Sequence, residues 1–318
     1  MSGQAAETAV VDFATMMALE AHGPDTFIGA GPRYPWGGLY GGQIVAQALR
    51  AAASSVDAAY RVHSLHAFFL RRGDHDHPIR FEVDRLRDGR SFVTRAVVAR
   101  QAVGAILNLS ASFQIDEDAT DVQATVRPSI DAPDVVGPPI GAPEIHAPEI
   151  HAPHSEPPDG ERPGSEALGG PTGQGPWSPM FDRRWVETTE RGRAVAWMRM
   201  TDDLGEDPVL AACAVAFCSD DLACDAVARL HPDNEGAWTD ESWVNASLDH
   251  AIWFHRPVRA DAWLAWDLRC ERLVGSRGLA LGEAWSADGT HVATVAQEVL
   301  LRPRRPRGAP SGGSAGRG

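Results

Sequence analysis

The sequence predicts an α+β protein built from two tandem units, each a long helix wrapped by an antiparallel sheet, the two related by a pseudo-two-fold axis. Three observations predict it. A Gly-rich turn runs into an alanine-rich apolar stretch over Trp36–Ala53, and alternating strand-like runs follow. A second long apolar helical pattern, Val209–Leu230, again precedes strand-like runs. Finally, the segment His63-Ser64-Leu65-His66-Ala67-Phe68-Phe69-Leu70-Arg71-Arg72 is echoed far downstream by Ser247-Leu248-Asp249-His250-Ala251-Ile252-Trp253-Phe254-His255-Arg256-Pro257. A repeated helix-then-meander order is the signature of paired α+β units.

Taken in order, Val10–Glu20 carries apolar residues at helical spacing and reads as a short leading helix. After a Gly/Pro-rich connection comes the Ala-rich helix, whose glycines lack phosphate-loop spacing and read as close packing of helix on sheet. Strands are expected near Tyr60–Leu70, Ile79–Arg87, Ser91–Arg100 and Ala105–Ile115, with a turn at Arg87-Asp88-Gly89. In the second half they are expected near Met180–Glu187, Arg193–Met200, Trp243–Phe254, Ala262–Leu273, Gly278–Ala287 and His291–Leu301. Asp207 caps the intervening helix and Pro208 suits its first turn.

The domains follow: 1–115 as the first unit, 116–175 as a Pro/Gly/Ala-rich linker without order, 176–302 as the second unit, and 303–318 as a disordered Arg/Gly-rich tail. The linker holds a small tandem, Ala142–His154, whose His146, His151 and His154 sit on a proline-spaced chain that offers no scaffold for a metal. No metal site and no cofactor are expected.

Composition narrows the function. All 29 basic residues are arginine, which excludes Schiff-base, pyridoxal-phosphate and P-loop lysines together. A net charge of -14 argues against general nucleic-acid binding. No apolar run reaches membrane-spanning length, no secretory signal opens the chain, and Cys213, Cys218, Cys224 and Cys270 form no CxxC pair. A cytoplasmic protein with reduced core thiols and no stable membrane insertion is the expectation.

The echo fixes a frame. The interval from His66 to Gln114 differs by one residue from that between His250 and Gln297, so the repeat sets His66 against His250, His63 against Ser247 and Gln43 against Asp220. The polar density of Ser247–Pro257 is unusual for a strand unless something binds it. His250 and His255 lie five apart, on opposite strand faces, and so do not converge on a metal; Asp249, two from Ser247, shares its face by alternation.

Tyr40–Leu49, His63–Asp74 and Leu248–Pro257 together resemble the acyl-CoA thioesterase II family, and the match spans both halves. The resemblance implies a double hotdog fold that hydrolyses acyl-CoA to a fatty acid and CoA without metal or covalent intermediate. It implies a catalytic acid at Asp220, a hydroxyl at Ser247, where the family usually carries Thr, and an amide at Gln297. Gly42, Gln43, His66 and His250 are expected beside the substrate, and Arg71, Arg72 and Arg256 near the CoA phosphates. The first half, with Gln43 where the acid belongs, is expected to serve as structural partner and part of the substrate channel. An acyl-CoA substrate and a homo-oligomer complete the reading. The alternatives are an enoyl- or hydroxyacyl-thioester hydratase using Asp249-His250, and a non-catalytic acyl-CoA binder.

Overall fold

The computed structural model describes residues 12–34, 36–133, 180–233 and 243–304. The His/Pro tandem at 142–154 and the tail beyond Arg304 lie outside them. The leading helix, α1 (Phe13–Met17), is shorter than its apolar pattern, with Asp12 accepting from the Thr15 N–H as its cap. Two short strands occupy the connection expected to be irregular, β1 (Glu20–Ala21) and β2 (Thr26–Gly29).

Then come α2 (Gly41–Ala53) and the meander β3 (Tyr60–Phe69), β4 (Ile79–Asp88), β5 (Phe92–Gln101) and β6 (Gly104–Ile115). In the second half β7 (Phe181–Val186) and β8 (Arg193–Met200) precede α3 (Pro208–Ser219) and α4 (Ala223–Leu230). They are followed by β9 (Trp243–Ser247), β10 (Asp249–Phe254), β11 (Leu264–Val274), β12 (Arg277–Ser286) and β13 (His291–Pro303). All pairings are antiparallel, and the strands join in one sheet in the order β1-β2-β4-β5-β6-β3-β10-β13-β12-β11-β8-β7, with β9 on β13.

The halves meet where the echoed segments meet. β3 and β10 are hydrogen-bonded to each other, Ala67 opposite His250 and His66 opposite Ala251. The repeat is therefore the seam of the molecule, and the sheet runs through it. Helix α2 packs on β3–β6 and α4 on β8 and β11–β13, while α3 lies against α2. Arg50 near the end of α2 reaches the α3 cap Asp207 at 3.0 Å, so the two helices run antiparallel.

Three further features depart from expectation. The run Val209–Leu230 is two helices: Asp220 is the C-cap of α3, and its own N–H bonds back to Cys218 O. Strand Trp243–Phe254 breaks at Leu248, where the register on β13 slips: Ser247 opposes Val299, yet Ala251 opposes Ala296. A one-residue excess on one strand is a β-bulge, and it reverses which side chains share a face.

The third concerns the linker. Its first part is docked: Trp197 Nε1 donates to Asp131 O at 2.7 Å, Arg184 donates to Pro133 O, and Gln123 bonds Gly289 O and the His291 N–H. This strap covers a tryptophan cluster, Trp197 and Trp285 with Ile130 and Trp263, on the sheet face away from the helices. The expectation of disorder from Asp116 thus fails as far as Pro133. Pro-rich composition prevents helix and ladder, but it does not prevent docking on an apolar surface.

Candidate active site

Asp220 stands where α3 ends and α2 begins. Its carboxylate accepts the N–H of Gly42, in the first turn of α2, so a residue of the second half is held by the helix of the first. The helix dipole and free N–H groups at that terminus favour an anion. Asp220 thus caps α3 instead of lying inside the single long helix expected over Val209–Leu230. The approach requires glycine: a Cβ on Gly41 would lie 2.5 Å from Asp220 Oδ2, and one on Gly42 would overlap the Phe217 carbonyl oxygen and the Tyr40 ring.

Ser247 and Gln297 complete the cluster. Ser247 Oγ donates to Asp220 Oδ1 at 2.9 Å, and Gln297 Nε2 donates to the same oxygen at 2.8 Å and to Ser247 Oγ at 2.8 Å. The three side chains predicted as catalytic therefore converge. Burial raises the Asp220 carboxyl to about 6, against the lowering effect of the Ser247, Gln297 and Gly42 hydrogen bonds. A carboxylate in this range titrates close to neutrality and can take and return a proton.

Behind Gln297 stands His250, which is 1% exposed. Its Nδ1 lies 2.6 Å from Gln297 Oε1 and its Nε2 2.8 Å from Ser219 Oγ. Burial lowers its pKa to about 4, so the ring is neutral. The bulge at Leu248 explains the placement, since it brings Ser247 and His250 to one face three residues apart. Asp249 consequently turns away: its Oδ1 accepts the Glu298 N–H at 2.7 Å, satisfying a backbone group that the slipped ladder leaves. The alternation that paired Asp249 with Ser247 holds only for an unbroken strand.

The other residues expected beside the substrate divide. Gly42 is in the site through its backbone. Gln43 is fully buried and engaged with the Tyr34 hydroxyl at 2.6 Å and with Gln47 at 3.2 Å, away from the Asp220 carboxylate. His66 is on the sheet face opposite His250, its ring against Trp253. The repeat frame that aligned them is one residue out of step. The same register slip occurs in the first half between Val62 and Ser64, and counting from the two bulges sets Val62 against Ser247 and Leu65 against His250. Arg71 donates to Ala105 O at 2.7 Å, Arg72 to Trp36 O, and Arg256 pairs with Asp121, so each has an intramolecular partner.

Sequence reasoning missed Gly41 and Phe69, whose ring would lie 3.1 Å from a Gly41 Cβ. The paired glycines before an apolar helix were the available signal.

Comparisons with known proteins identify the family and the fold. Residues 31–114 match the model of the acyl-CoA thioesterase N-terminal domain, and residues 148–301 that of the acyl-CoA thioesterase C-terminal domain. The chain is 32% identical over 291 residues to human acyl-coenzyme A thioesterase 8, covering 91% of this chain and 88% of the relative. It is 33% identical to acyl-CoA thioesterase 2 of Haemophilus influenzae, covering 83% and 87%. Among solved structures, acyl-CoA thioesterase II TesB2 from Mycobacterium marinum superposes with a TM-score of 0.72 at 30% identity, over 92% of this chain and 98% of that one. The two helix-on-sheet halves are the double hotdog that the resemblance implied, and with both domain models matched in order the chain belongs to the acyl-CoA thioesterase family.

Proposed function

We propose that the protein hydrolyses acyl-CoA thioesters with water activated by Asp220, Ser247 and Gln297. The observation that carries this is the convergence of Ser247 Oγ and Gln297 Nε2 on Asp220 Oδ1, with the Gly42 N–H on the same carboxylate. Asp220 accepts the water proton as the oxygen attacks the thioester carbonyl. The tetrahedral intermediate then expels the CoA sulfur, which takes that proton and leaves as the thiol. Serine and glutamine hold the water and the carboxylate in line, so that little reorganisation is needed at the moment of reaction.

Room for an acyl chain lies along the same helices. A cavity of about 450 Å³, floored by Leu49, Val62, Phe113, Val209, Val215 and Phe254, opens between α2 and α3. Val215 is five residues before Asp220 on α3, about 7.5 Å along the axis. Four free cysteines fit a reducing, cytoplasmic setting. Exposed Phe68, Leu279 and Leu281 on the outer sheet face suit burial against a second copy in a homo-oligomer. Among the described residues no helix is long and apolar enough to cross a membrane.

The hydratase alternative needs Asp249 and His250 on one substrate, and as neighbours along β10 they face opposite sides of the sheet. The test is release of free thiol from acyl-CoAs, run beside hydration of an enoyl-CoA. Wild type releases thiol, and Asp220→Asn loses that activity while melting no lower than wild type at neutral pH. Full activity in Asp220→Asn would sink the assignment, and thiol-free binding alone would favour the non-catalytic reading.

A further inference from the structure

We infer that His250 is a positioning residue that fixes which way the Gln297 carboxamide faces, through a tautomer set by Ser219. The inference rests on the proposed role of Gln297 and adds a device behind it.

The argument is one of donors and acceptors. A carboxamide has an oxygen that only accepts and a nitrogen that only donates. For Gln297 to serve Asp220 and Ser247 it must turn its NH2 toward them, since the ionised Asp220 Oδ1 accepts only and lies 2.8 Å away. Its oxygen then faces His250 Nδ1, which must carry a proton. In a neutral imidazole Nε2 is then bare, and a bare nitrogen needs a donor. Ser219 Oγ, at 2.8 Å, is that donor; its single proton has a rival acceptor in Ala216 O at 2.9 Å. Giving it to Ala216 would require Nε2–H as well as Nδ1–H, hence an imidazolium in a site from which water is excluded. The chain Ser219 O–H to His250 Nε2, His250 Nδ1–H to Gln297 Oε1 and Gln297 Nε2–H to Asp220 is thus the arrangement in which each link has one proton and neither ring nor amide is reversed.

With the opposite tautomer the bare Nδ1 would attract the amide NH2. Gln297 would flip and present its oxygen to the Asp220 carboxylate, an acceptor against an acceptor. The catalytic groups would all be present, yet turned the wrong way. Ser219 comes from the last turn of α3 and His250 from just beyond the bulge, so the device joins the helix cap that carries Asp220 to the strand break that carries Ser247.

Two substitutions separate positioning from packing. An asparagine at 250 places an amide N–H near the Nδ1 position, whereas a glutamine places its amide near Nε2. His250→Asn should retain kcat within about fivefold, and His250→Gln should lose at least about thirtyfold, with KM little changed in either. Ser219→Ala should lower kcat several-fold in wild type and add nothing on top of His250→Asn, as expected if its effect passes through the ring. Long-range proton–nitrogen NMR on the wild-type protein reads the ring directly and should show a protonated Nδ1 and a bare Nε2, whether or not the variants fold. Equal loss in the Asn and Gln variants, or a bare Nδ1, would overturn the inference. If Asp220→Asn kept full thioesterase activity, the function reading would fall instead, and the tautomer measured by NMR would stand.

Discussion

Leu65 stands opposite Ala111 across β3 and β6, at the place His250 and Gln297 hold in the second half, one step beyond the paired Ala251 and Ala296. Both pairs lie two residues past a bulge and face the helices, but one is apolar and the other is a hydrogen-bonded imidazole and amide. The first half therefore keeps the backbone device and fills its pocket with hydrocarbon. Leu65→Ala should behave as a core truncation, costing about 2–5 kcal/mol in denaturant unfolding. Below its melting temperature it should retain the wild-type kcat; loss of turnover in folded protein would assign the first half a chemical role.

The pH dependence of turnover follows from the Asp220 carboxyl. Burial holds it at about 6, and the base works only when ionised, so kcat/KM should rise with pH to a half-maximal point near 6. His250, held down at about 4, adds no transition near neutrality. Because Ser247 donates to Asp220 and stabilises its charged form, Ser247→Ala should move the rising limb to higher pH as well as lowering its plateau. A rate profile flat through the acidic range would contradict this.

Stability carries the opposite sign. The folded Asp220 binds its proton more tightly than an unfolded one, whose value is near 3.8, so the folded state holds more protons between the two values. The contribution of this group is fully present below the unfolded value and is lost as pH rises through about 6. Asp220→Asn should therefore gain melting temperature relative to wild type when the pair is compared at pH above 6, and gain less in acid. An equal difference at both pH values would mean that Asp220 is not the titrating group.

Much of the fold was legible because periodicity reports which face is wet. β8 and β13 were bounded closely by alternation or apolar runs, and α2 by its alanines. The site was legible only by resemblance, since a lone Asp, Ser and Gln far apart in sequence carry no pattern. The bulges left no trace because one extra residue changes neither composition nor polarity, and the repeat frame slipped by one position because it was set on the matching letters His66-Ala67 and His250-Ala251. The docked strap had a signal that went unused: five consecutive residues of β8, Ala194–Met198, are apolar, which asks for cover on both faces of the strand, and all five are buried.

The glycines at the start of α2 offer a sharp steric test. A methyl group at 42 meets a backbone carbonyl, Phe217 O, which cannot rotate away, and the ring of Tyr40, whose hydroxyl donates to that carbonyl. Gly42→Ala should push α2 from the end of α3 and draw its N–H away from Asp220. A misplacement of about 1 Å costs on the order of a hundredfold in rate, so kcat should fall by that order while the far-ultraviolet circular dichroism spectrum is unchanged. Gly23→Ala is the control, because a Cβ there meets nothing and the residue is remote from the site; its positive φ predicts a stability cost without a rate effect.

Beside Asp220 lies a second buried carboxylate, and its neutralisation sets the field in which the base works. Asp221 is paired with Arg183 at 2.5 Å, both side chains nearly inaccessible, and the guanidinium also stacks on Trp185. Desolvation opposes the charge on Arg183, but Asp221 and Asp225 outweigh it and raise the pKa. An uncompensated Asp221 raises the Asp220 carboxyl further, since the two negative charges repel. Arg183→Met should therefore cost about 3–5 kcal/mol, the usual penalty for leaving a buried partner unpaired, and shift the rising limb of the rate profile to higher pH. Replacing both partners, Arg183→Met with Asp221→Leu, should recover most of the stability and bring the limb back toward its original position. Recovery of stability without return of the limb would show that Asp221 does not act on Asp220 through its charge.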